Sequence, residues 1–181
     1  MTPTIRITPV SKDRLSDPGF SACGFQVIPG HGLQGEFWRN VAGRLGTIGF
    51  NAERESGVED GKFFHLGHVV FYPKTDARRL CYPTCPTNKD LDKTLYLHCT
   101  FGSPDEEGRL YVGKLMDEVK AFARERGIRR IEACNAGSPV IHANHSVLES
   151  FGFAVDPSTK QALSAKGLQE IRMLFWEDGA V

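Results

Sequence analysis

The alternation of apolar and polar positions is clearest in the middle of the chain, between Thr94 and Gly127. Apolar residues first occupy every second position, which is the periodicity of a β-strand; they are Leu95, Leu97, Cys99 and Phe101. From Val112 onward apolar residues recur at intervals of three and four, which predicts a helix, and Gly127 predicts its end. The polar run from Gly102 to Gly108 predicts the turn between the two elements.

A strand that passes into a helix through a tight turn has a chemical consequence. The first N–H groups of the helix have no acceptor within the helix, and the helix dipole places partial positive charge at the same end. Such a corner is a place for a phosphate group. The central segment therefore predicts a phosphate-binding turn.

The first half of the chain shows three further strand-like runs and one helical run. Thr4–Val10 predicts a strand near a sheet edge, because prolines lie within and beside it. One apolar face predicts a helix from Gly35 to Leu45, ended by Gly46. The runs Thr47–Arg54 and Lys62–Tyr72 enclose a turn-rich segment, so they predict a hairpin.

The second half predicts the partner of the central strand. Ile128–Cys134 is a strand that follows the helix, so it should lie parallel and adjacent to the strand before the helix. A helix then begins at Ser138 and runs to about Ser150, with Gly152 at its C-terminal cap. Two short strands follow, Phe151–Val155 and Gln169–Glu177. This order of elements predicts one mixed α/β domain that covers residues 1–181.

Composition narrows the class of protein but not its chemistry. The 181 residues hold 22 Lys and Arg and 22 Asp and Glu, so the formal net charge is zero. That balance gives no support for a nucleic-acid partner or an acidic membrane surface. No apolar run is long enough to span a bilayer, and the first residues lack the apolar region of a signal peptide. Together with five cysteines, an odd number, these features predict a cytoplasmic protein.

Five segments resemble the GCN5-related N-acetyltransferase (GNAT) family. The strand end Cys99–Pro104 and the following Val112–Leu115 are similar to the family's acetyl-CoA loop region. Ala123–Ile128 resembles its helix-to-strand corner, and Leu148–Phe153 its late helix-to-strand ending. Gly67–Pro73 resembles the family's third strand.

The resemblance implies both a fold and an activity. The fold is a mixed, mostly antiparallel sheet of six to seven strands, with a parallel central pair that splays apart and helices on both faces. The activity is N-acetylation of a primary amine, with acetyl-CoA as co-substrate and direct attack in a ternary complex. The acceptor is a small molecule, a peptide or a protein lysine, and a homodimer is left open. The alternative is a catalytically degenerate acyl-CoA-binding or regulatory module of the same fold.

The chain departs from the family pattern in three places. Gly113 is the only loop glycine on the motif, because Tyr111 stands where the family has the first one. Leu148 occupies the position of the catalytic tyrosine of many members, and its side chain cannot donate a proton. Three consecutive acids, Asp105 to Glu107, lie beside the expected pyrophosphate site.

The resemblance also assigns the cofactor contacts. The backbone N–H groups from Arg109 to Lys114 would hold the pyrophosphate, that is, those of Arg109, Leu110, Tyr111, Val112, Gly113 and Lys114. The side chains of Arg109 and Lys114 would add charge-assisted contacts. The strand end Thr100, Phe101 and Gly102 would pair with the pantetheine arm as an added strand does. Asn144, near the expected thiol position, completes the set.

Acetyl transfer to an amine needs a group that takes a proton near neutral pH, and histidine is suited to this. His98, in the middle of the central strand, is the candidate base. An ordinary half-buried strand histidine would give the same sequence. Cys134 is the candidate proton donor to the leaving thiolate in place of the missing tyrosine, although free cysteines are often small core residues.

A metal site was also considered from the spacing of cysteine and histidine. Cys81 and Cys85 are four residues apart, and His65 and His68 are three apart, so the four residues form a conceivable zinc set. Residues three apart on a regular strand point to opposite faces, however. The sequence therefore predicts that these residues hold no metal.

Overall fold

The structure, a computed structural model, describes residues 5–15, 32–55, 62–76, 90–102, 106–135, 145–157 and 172–179. The strands in this part of the chain are β1 (Ile5–Pro9), β2 (Gly49–Glu55), β3 (Phe63–Pro73), β4 (Thr94–Gly102), β5 (Arg130–Asn135), β6 (Ala154–Val155) and β7 (Arg172–Glu177). The α-helices are α1 (Gly32–Leu45), α2 (Glu106–Glu125) and α3 (His145–Ser150). The described residues also include 3₁₀ turns at Lys12–Arg14, at 74–76 and at Leu91–Lys93.

The strands form one seven-stranded sheet in the order β1-β2-β3-β4-β5-β7-β6. The pairs β1–β2, β2–β3, β5–β7 and β6–β7 are antiparallel, and β4–β5 is parallel. This confirms the predicted mixed sheet with one parallel pair, the predicted hairpin and the edge position of the first strand. The placement of helices on both faces stays a prediction.

The predicted helix ends agree with the structure, but several starts do not: α1 begins at Gly32 instead of Gly35, β6 at Ala154 instead of Phe151, and the start of α2 was also wrong. The predicted helix start at Ser138 lies outside the described residues.

Helix α2 begins at Glu106, six residues before Val112. The sequence interpretation took Gly108 for part of a turn, whereas Gly108 is a buried residue of the first helical turn. A Cβ on Gly102 would lie 3.3 Å from the Gly108 carbonyl oxygen and 2.6 Å from a Val112 methyl group. The glycines therefore serve close packing of the strand end against the helix.

The chain divides into two compact units, each described here by itself. The first comprises Met1–Val70 and Cys99–Val119, and the second comprises Phe71–His98 and Lys120–Val181. The prediction of a single domain stays a prediction.

In the first unit, an apolar core is formed by buried side chains of α1, β2 and β3 and of the segment between α1 and β2; they include Phe37, Trp38, Val41, Ile48, Phe50 and Val69. Gly49 allows β2 to approach β3, because a Cβ there would lie 2.0 Å from the Val69 carbonyl oxygen. Gly46 has a positive φ of 80° and donates its N–H to the Ala42 carbonyl, which closes α1 as predicted.

In the second unit, β5 lies between β4 and β7, and its core includes Tyr72, Leu95, Ile131 and Leu174. Gly127 and Gly152 have φ values of 64° and 82° and end α2 and α3. Their neighbours form the paired 6→1 and 5→2 hydrogen bonds of a glycine cap, which confirms both predicted helix ends. No helix within the described ranges is both long and apolar enough to cross a membrane.

Candidate active site

The parallel pairing of β4 and β5 ends part-way along β4. The register runs from Thr94 opposite Arg130 to Leu97 opposite Ala133. Strand β4 nevertheless continues to Gly102, and β5 continues to Asn135. The sequence resemblance implies that this parallel pair splays apart, and the end of the register is consistent with such a divergence. Two predicted groups lie just beyond it on β4: His98 and the strand end Thr100–Gly102.

The first turn of α2 offers backbone donors, but not those predicted. In an α-helix that starts at Glu106, the N–H groups from Leu110 onward bond to carbonyls four residues earlier. The predicted pyrophosphate contacts of Leu110, Tyr111, Val112, Gly113 and Lys114 through their N–H groups are therefore inconsistent with this helix. The donors without an intrahelical acceptor belong to the first turn, from Glu106.

The side chains around this turn make contacts that a flexible loop would not be expected to make. Tyr111, which stands in a glycine position of the motif, is buried, and its hydroxyl donates to the Glu107 carboxylate. Glu107 is itself half exposed and lies 4.0 Å from the Arg54 guanidinium. Arg109 and Lys114 are both exposed. They are five positions apart in the sequence, which places them about 140° apart around the helix, so one bound group cannot easily contact both.

His98 is half-buried in the second unit, beside two tyrosines. Its ring centroid lies 5.8 Å from that of Tyr72, and the Tyr72 and Tyr96 centroids are 5.3 Å apart. Tyr96 is opposite Glu132 in the β4–β5 register. His98 therefore lies next to an aromatic pair and one residue beyond the last paired position.

A buried ionic network lies on β5 in the same unit. Glu132 accepts from Arg130 Nε at 2.7 Å and lies 2.5 Å from Lys74 Nζ, and all three side chains are almost fully buried. Arg130 also contacts Glu177, and lies 3.3 Å from Asp156. Burial lowers the pKa of Arg130, but the hydrogen bonds that Arg130 donates to Glu132 and Glu177 outweigh this effect and raise the pKa. Each charge in the network thus has an opposite charge within contact distance.

The first unit contains a histidine–cysteine cluster that the sequence interpretation missed. His65 Nε2 lies 2.9 Å from His68 Nδ1, and His68 Nε2 lies 3.7 Å from Cys99 Sγ. The Phe101 ring is stacked on both imidazoles, with centroids 6.4 Å from His65 and 5.4 Å from His68. The reason for the error is a β-bulge, because β2 pairs Ala52 with Gly67 but Glu53 with His65.

The bulge corrects the statement that His65 and His68 point to opposite faces. Because Leu66 is the extra residue, His65 and His68 lie opposite Glu53 and Asn51, which share one face of β2. Burial and the neighbouring His68 lower the pKa of His65 to about 4. A group of three or more potential metal ligands is not found within the described ranges. Cys81 and Cys85, the other half of the considered zinc set, lie outside those ranges.

Comparison with solved structures identifies the fold. A protein from Desulfovibrio desulfuricans, described as a candidate acetyltransferase of the GNAT family, is 15% identical with a TM-score of 0.54, over 97% of this chain and 99% of that one. A candidate acetyltransferase from Salmonella typhimurium, solved with its cofactor acetyl-CoA, is 12% identical with a TM-score of 0.57, over 96% and 93%. The ribosomal-protein-S18-alanine N-acetyltransferase from Escherichia coli is 12% identical with a TM-score of 0.53, over 96% and 94%.

The fold is that of the GCN5-related N-acetyltransferases. At these identities the likeness concerns the fold. No protein-family model matches the sequence, and no curated protein matches it either.

On the GNAT fold, the remaining predicted residues have different outcomes. Leu148, at the tyrosine position of the motif, is 3% exposed and forms part of the core. Cys134 lies in β5 opposite Met173, and the structure describes its backbone but not its side chain. Asn144 lies outside the described residues. The roles of His98, Cys134 and Asn144 stay predictions.

Proposed function

We propose that this chain binds acetyl-CoA and transfers its acetyl group to a primary amine. The observation that carries the proposal is the end of the β4–β5 register at Leu97, five residues before β4 itself ends. In a GNAT fold, a strand that continues beyond its parallel partner gives an extended acyl donor a backbone to lie along. The amides of the pantetheine arm can then pair with β4 as an added strand would.

The pyrophosphate is assigned to the first turn of α2. Its donors are N–H groups of that first turn, beginning with Glu106, and they are supported by the positive end of the helix dipole. Arg109 follows directly and can add a charge-assisted contact, whereas Lys114 lies more than one turn further along. This assignment replaces the predicted set of N–H groups from Arg109 to Lys114.

In the direct-attack route that the resemblance implies, the amine nitrogen attacks the thioester carbonyl within a ternary complex. The amine must lose a proton, and His98 is the proposed acceptor because it lies one residue beyond the paired part of β4. The departing thiolate must gain a proton. Cys134 is the proposed donor.

A second candidate function is a non-catalytic acyl-CoA-binding module. The observation that favours it is the buried position of Leu148, which leaves a core methyl-bearing side chain where many GNAT enzymes have a tyrosine hydroxyl. The same cofactor would bind, but no acetyl group would be transferred.

Binding is tested by thermal shift and calorimetric titration with acetyl-CoA and CoA. The Arg109→Gln variant should bind acetyl-CoA about tenfold more weakly, which is about 1.4 kcal/mol. Lys114→Gln, an exposed charge change on the same helix, is the matched control and should bind within about twofold. Unchanged melting temperature with either ligand would refute binding, and equal losses in the two variants would refute the assignment to the first turn.

Transfer is tested by thiol release from acetyl-CoA over a panel of small amines, peptides with free N-termini and lysine-containing peptides. Turnover with one acceptor class supports the enzyme. Tight binding without turnover on any amine favours the module.

A further inference from the structure

His65 and His68 form a hydrogen-bonded pair beside the end of β4, called the histidine pair below. His65 Nε2 lies 2.9 Å from His68 Nδ1, and the β-bulge at Leu66 brings both rings to one face of β3. On that face the Phe101 ring lies nearly parallel to both imidazoles, with ring planes 9° apart for His65 and 23° apart for His68. The three rings therefore form one aromatic cluster.

Stability alone does not account for the histidine pair. His68 is fully buried, and burial together with the neighbouring His68 lowers the pKa of His65 to about 4, so His65 is uncharged at neutral pH. His65 Nδ1 is buried and has no hydrogen-bond partner within the described part of the chain. A buried polar atom without a partner lowers the free energy of unfolding, and an apolar side chain at this position would avoid that loss.

Phe101 contacts β3 through its backbone as well as through its ring. A Cβ on Gly67 would lie 2.5 Å from the Phe101 carbonyl oxygen, so this carbonyl points toward β3. The backbone groups of successive residues in a strand alternate between the two edges of the strand. The backbone N–H and C=O groups of Thr100 and Gly102 consequently point to the edge of β4 opposite β3.

This opposite edge is the one that the proposed function assigns to the pantetheine arm. The β4–β5 register ends at Leu97, and β4 continues for five residues beyond it. Thr100 and Gly102 are therefore the residues whose backbone groups are available to an added strand. Gly102 is also held on the face opposite Phe101, because a Cβ there would lie 2.6 Å from a methyl group of Val112 in α2.

We propose that the histidine pair positions Phe101 and thereby sets the direction of the Thr100 and Gly102 backbone groups that pair with the pantetheine arm. The inference rests on the proposed function for its ligand, acetyl-CoA, and it keeps the direct attack of the amine. The two histidines are positioning residues, since they act through Phe101. Without the pair, the strand end would move more freely and pair less well with pantetheine, whereas the first turn of α2 would keep its contacts with the pyrophosphate.

The first test uses the protein without ligand and follows amide hydrogen exchange by NMR. The Phe101 N–H points to β3 together with its carbonyl, so its exchange reports on the strand end. His68→Leu and Phe101→Leu should each speed this exchange about tenfold or more and leave the amides of β1 and β2 within about twofold. Equal acceleration throughout the first unit, or unchanged exchange of residue 101 in both variants, overturns the inference.

A matched control for the first test is Phe63→Leu. Phe63 is half-buried on the same strand as the histidine pair, and its ring contacts the Arg6 guanidinium. The exchange at Phe101 should stay within about twofold of the wild type in this variant. If His68→Leu does not fold, His65→Leu takes its place with the same expected result.

The second test separates the two parts of the cofactor by calorimetric titration. Acetyl-CoA carries the pantetheine arm, whereas adenosine 3′,5′-bisphosphate carries only the nucleotide part. His68→Leu and Phe101→Leu should each bind acetyl-CoA about tenfold more weakly and bind the bisphosphate within about twofold of the wild type. Equal losses for both ligands, or no loss for acetyl-CoA, overturn the inference and leave the proposed function intact.

The double variant tests whether the histidine acts through Phe101. Because both changes remove the same contact, the double variant should bind acetyl-CoA no more than about twofold more weakly than the weaker single variant. Losses that multiply would overturn this path. If the wild type does not bind acetyl-CoA, the proposed function fails, and the exchange experiment alone decides whether the histidine pair holds Phe101.

Discussion

The buried carboxylate of Glu132 offers the sharpest test of what holds the second unit together. Glu132 is 1% exposed and lies within 2.7 Å of two cations, Lys74 and Arg130, that are also almost fully buried. Replacing it by Gln keeps the shape but removes the negative charge. Two buried cations then face a neutral amide, and Arg130 retains Asp156 and Glu177 while Lys74 loses its ion pair with Glu132.

Removing one partner of a buried ion pair lowers the free energy of unfolding by about 3 to 5 kcal/mol, because the remaining charge stays in a low-dielectric site. For a chain of this length that corresponds to a fall in melting temperature of roughly 6 to 20 °C. The matched control is Glu177→Gln, which removes a carboxylate from the same Arg130. The Glu177 side chain is 43% exposed, so this change should cost about 1 kcal/mol or less.

Urea unfolding of the wild type and the two single variants at low and high salt measures both costs. High salt should reduce the effect of Glu177→Gln and leave that of Glu132→Gln nearly unchanged, because buried pairs are poorly screened. The double variant Lys74→Met with Glu132→Met should be less destabilised than Glu132→Gln alone, since it removes both charges. Equal costs for the two Gln variants, or a double variant less stable than either single change, would refute the buried-network explanation.

Three further predictions concern the first unit. Gly67→Ala should lower the free energy of unfolding by about 1 to 3 kcal/mol, because its Cβ would lie 2.5 Å from the Phe101 carbonyl oxygen. Gly43→Ala, whose Cβ would have nothing within 4 Å, should raise the free energy of unfolding by up to about 1 kcal/mol. Similar urea midpoints for the two variants would contradict this. The folded protein resists protonation of His65 between pH 6.5 and about 4, so stability should fall as the pH drops through that range, and His65→Asn should flatten the slope of urea stability against pH. Burial raises the pKa of Glu53, but hydrogen bonds from Arg14 and Arg6 outweigh burial and lower the pKa below its ordinary 4.5. The ionised Glu53 therefore stabilises the fold, and this contribution is lost as the pH falls from 4.5 through that lower value. Glu53→Gln should remove that acid-limb loss, and an identical acid unfolding curve would count against it.

The features that sequence predicted well are those set by local chemistry. Gly46, Gly127 and Gly152 end three helices with positive φ, which a glycine adopts without the strain that a side chain would cause. The hairpin of β2 and β3 follows from two alternating runs around a turn. The parallel pair follows from a strand, a helix and a strand in succession. Each of these signals is contained within a few neighbouring residues.

The features that sequence missed depend on contacts between distant segments. Glycine is a residue type common in turns, but Gly108 lies in α2, where it packs closely against Gly102. The bulge at Leu66 depends on the register between β2 and β3, which no periodicity within β3 reveals. The two-residue periodicity of a regular strand places His65 and His68 on opposite faces, whereas the one extra residue of the bulge places them on the same face. The cluster of His65, His68 and Cys99 could therefore be found only from the paired strands.

The acids at the start of α2 illustrate how a structural position changes the interpretation of a residue. Beside an assumed loop, Asp105, Glu106 and Glu107 looked like an unfavourable charge for a pyrophosphate. Once α2 starts at Glu106, Glu106 and Glu107 occupy the first helical turn, where the helix dipole stabilises negative side chains. Glu107 is further engaged by the Tyr111 hydroxyl and by Arg54. The carboxylates and a pyrophosphate bound as proposed would draw on the same positive helix end, so the acids would stabilise the helix without ligand and weaken the proposed site's preference for phosphate.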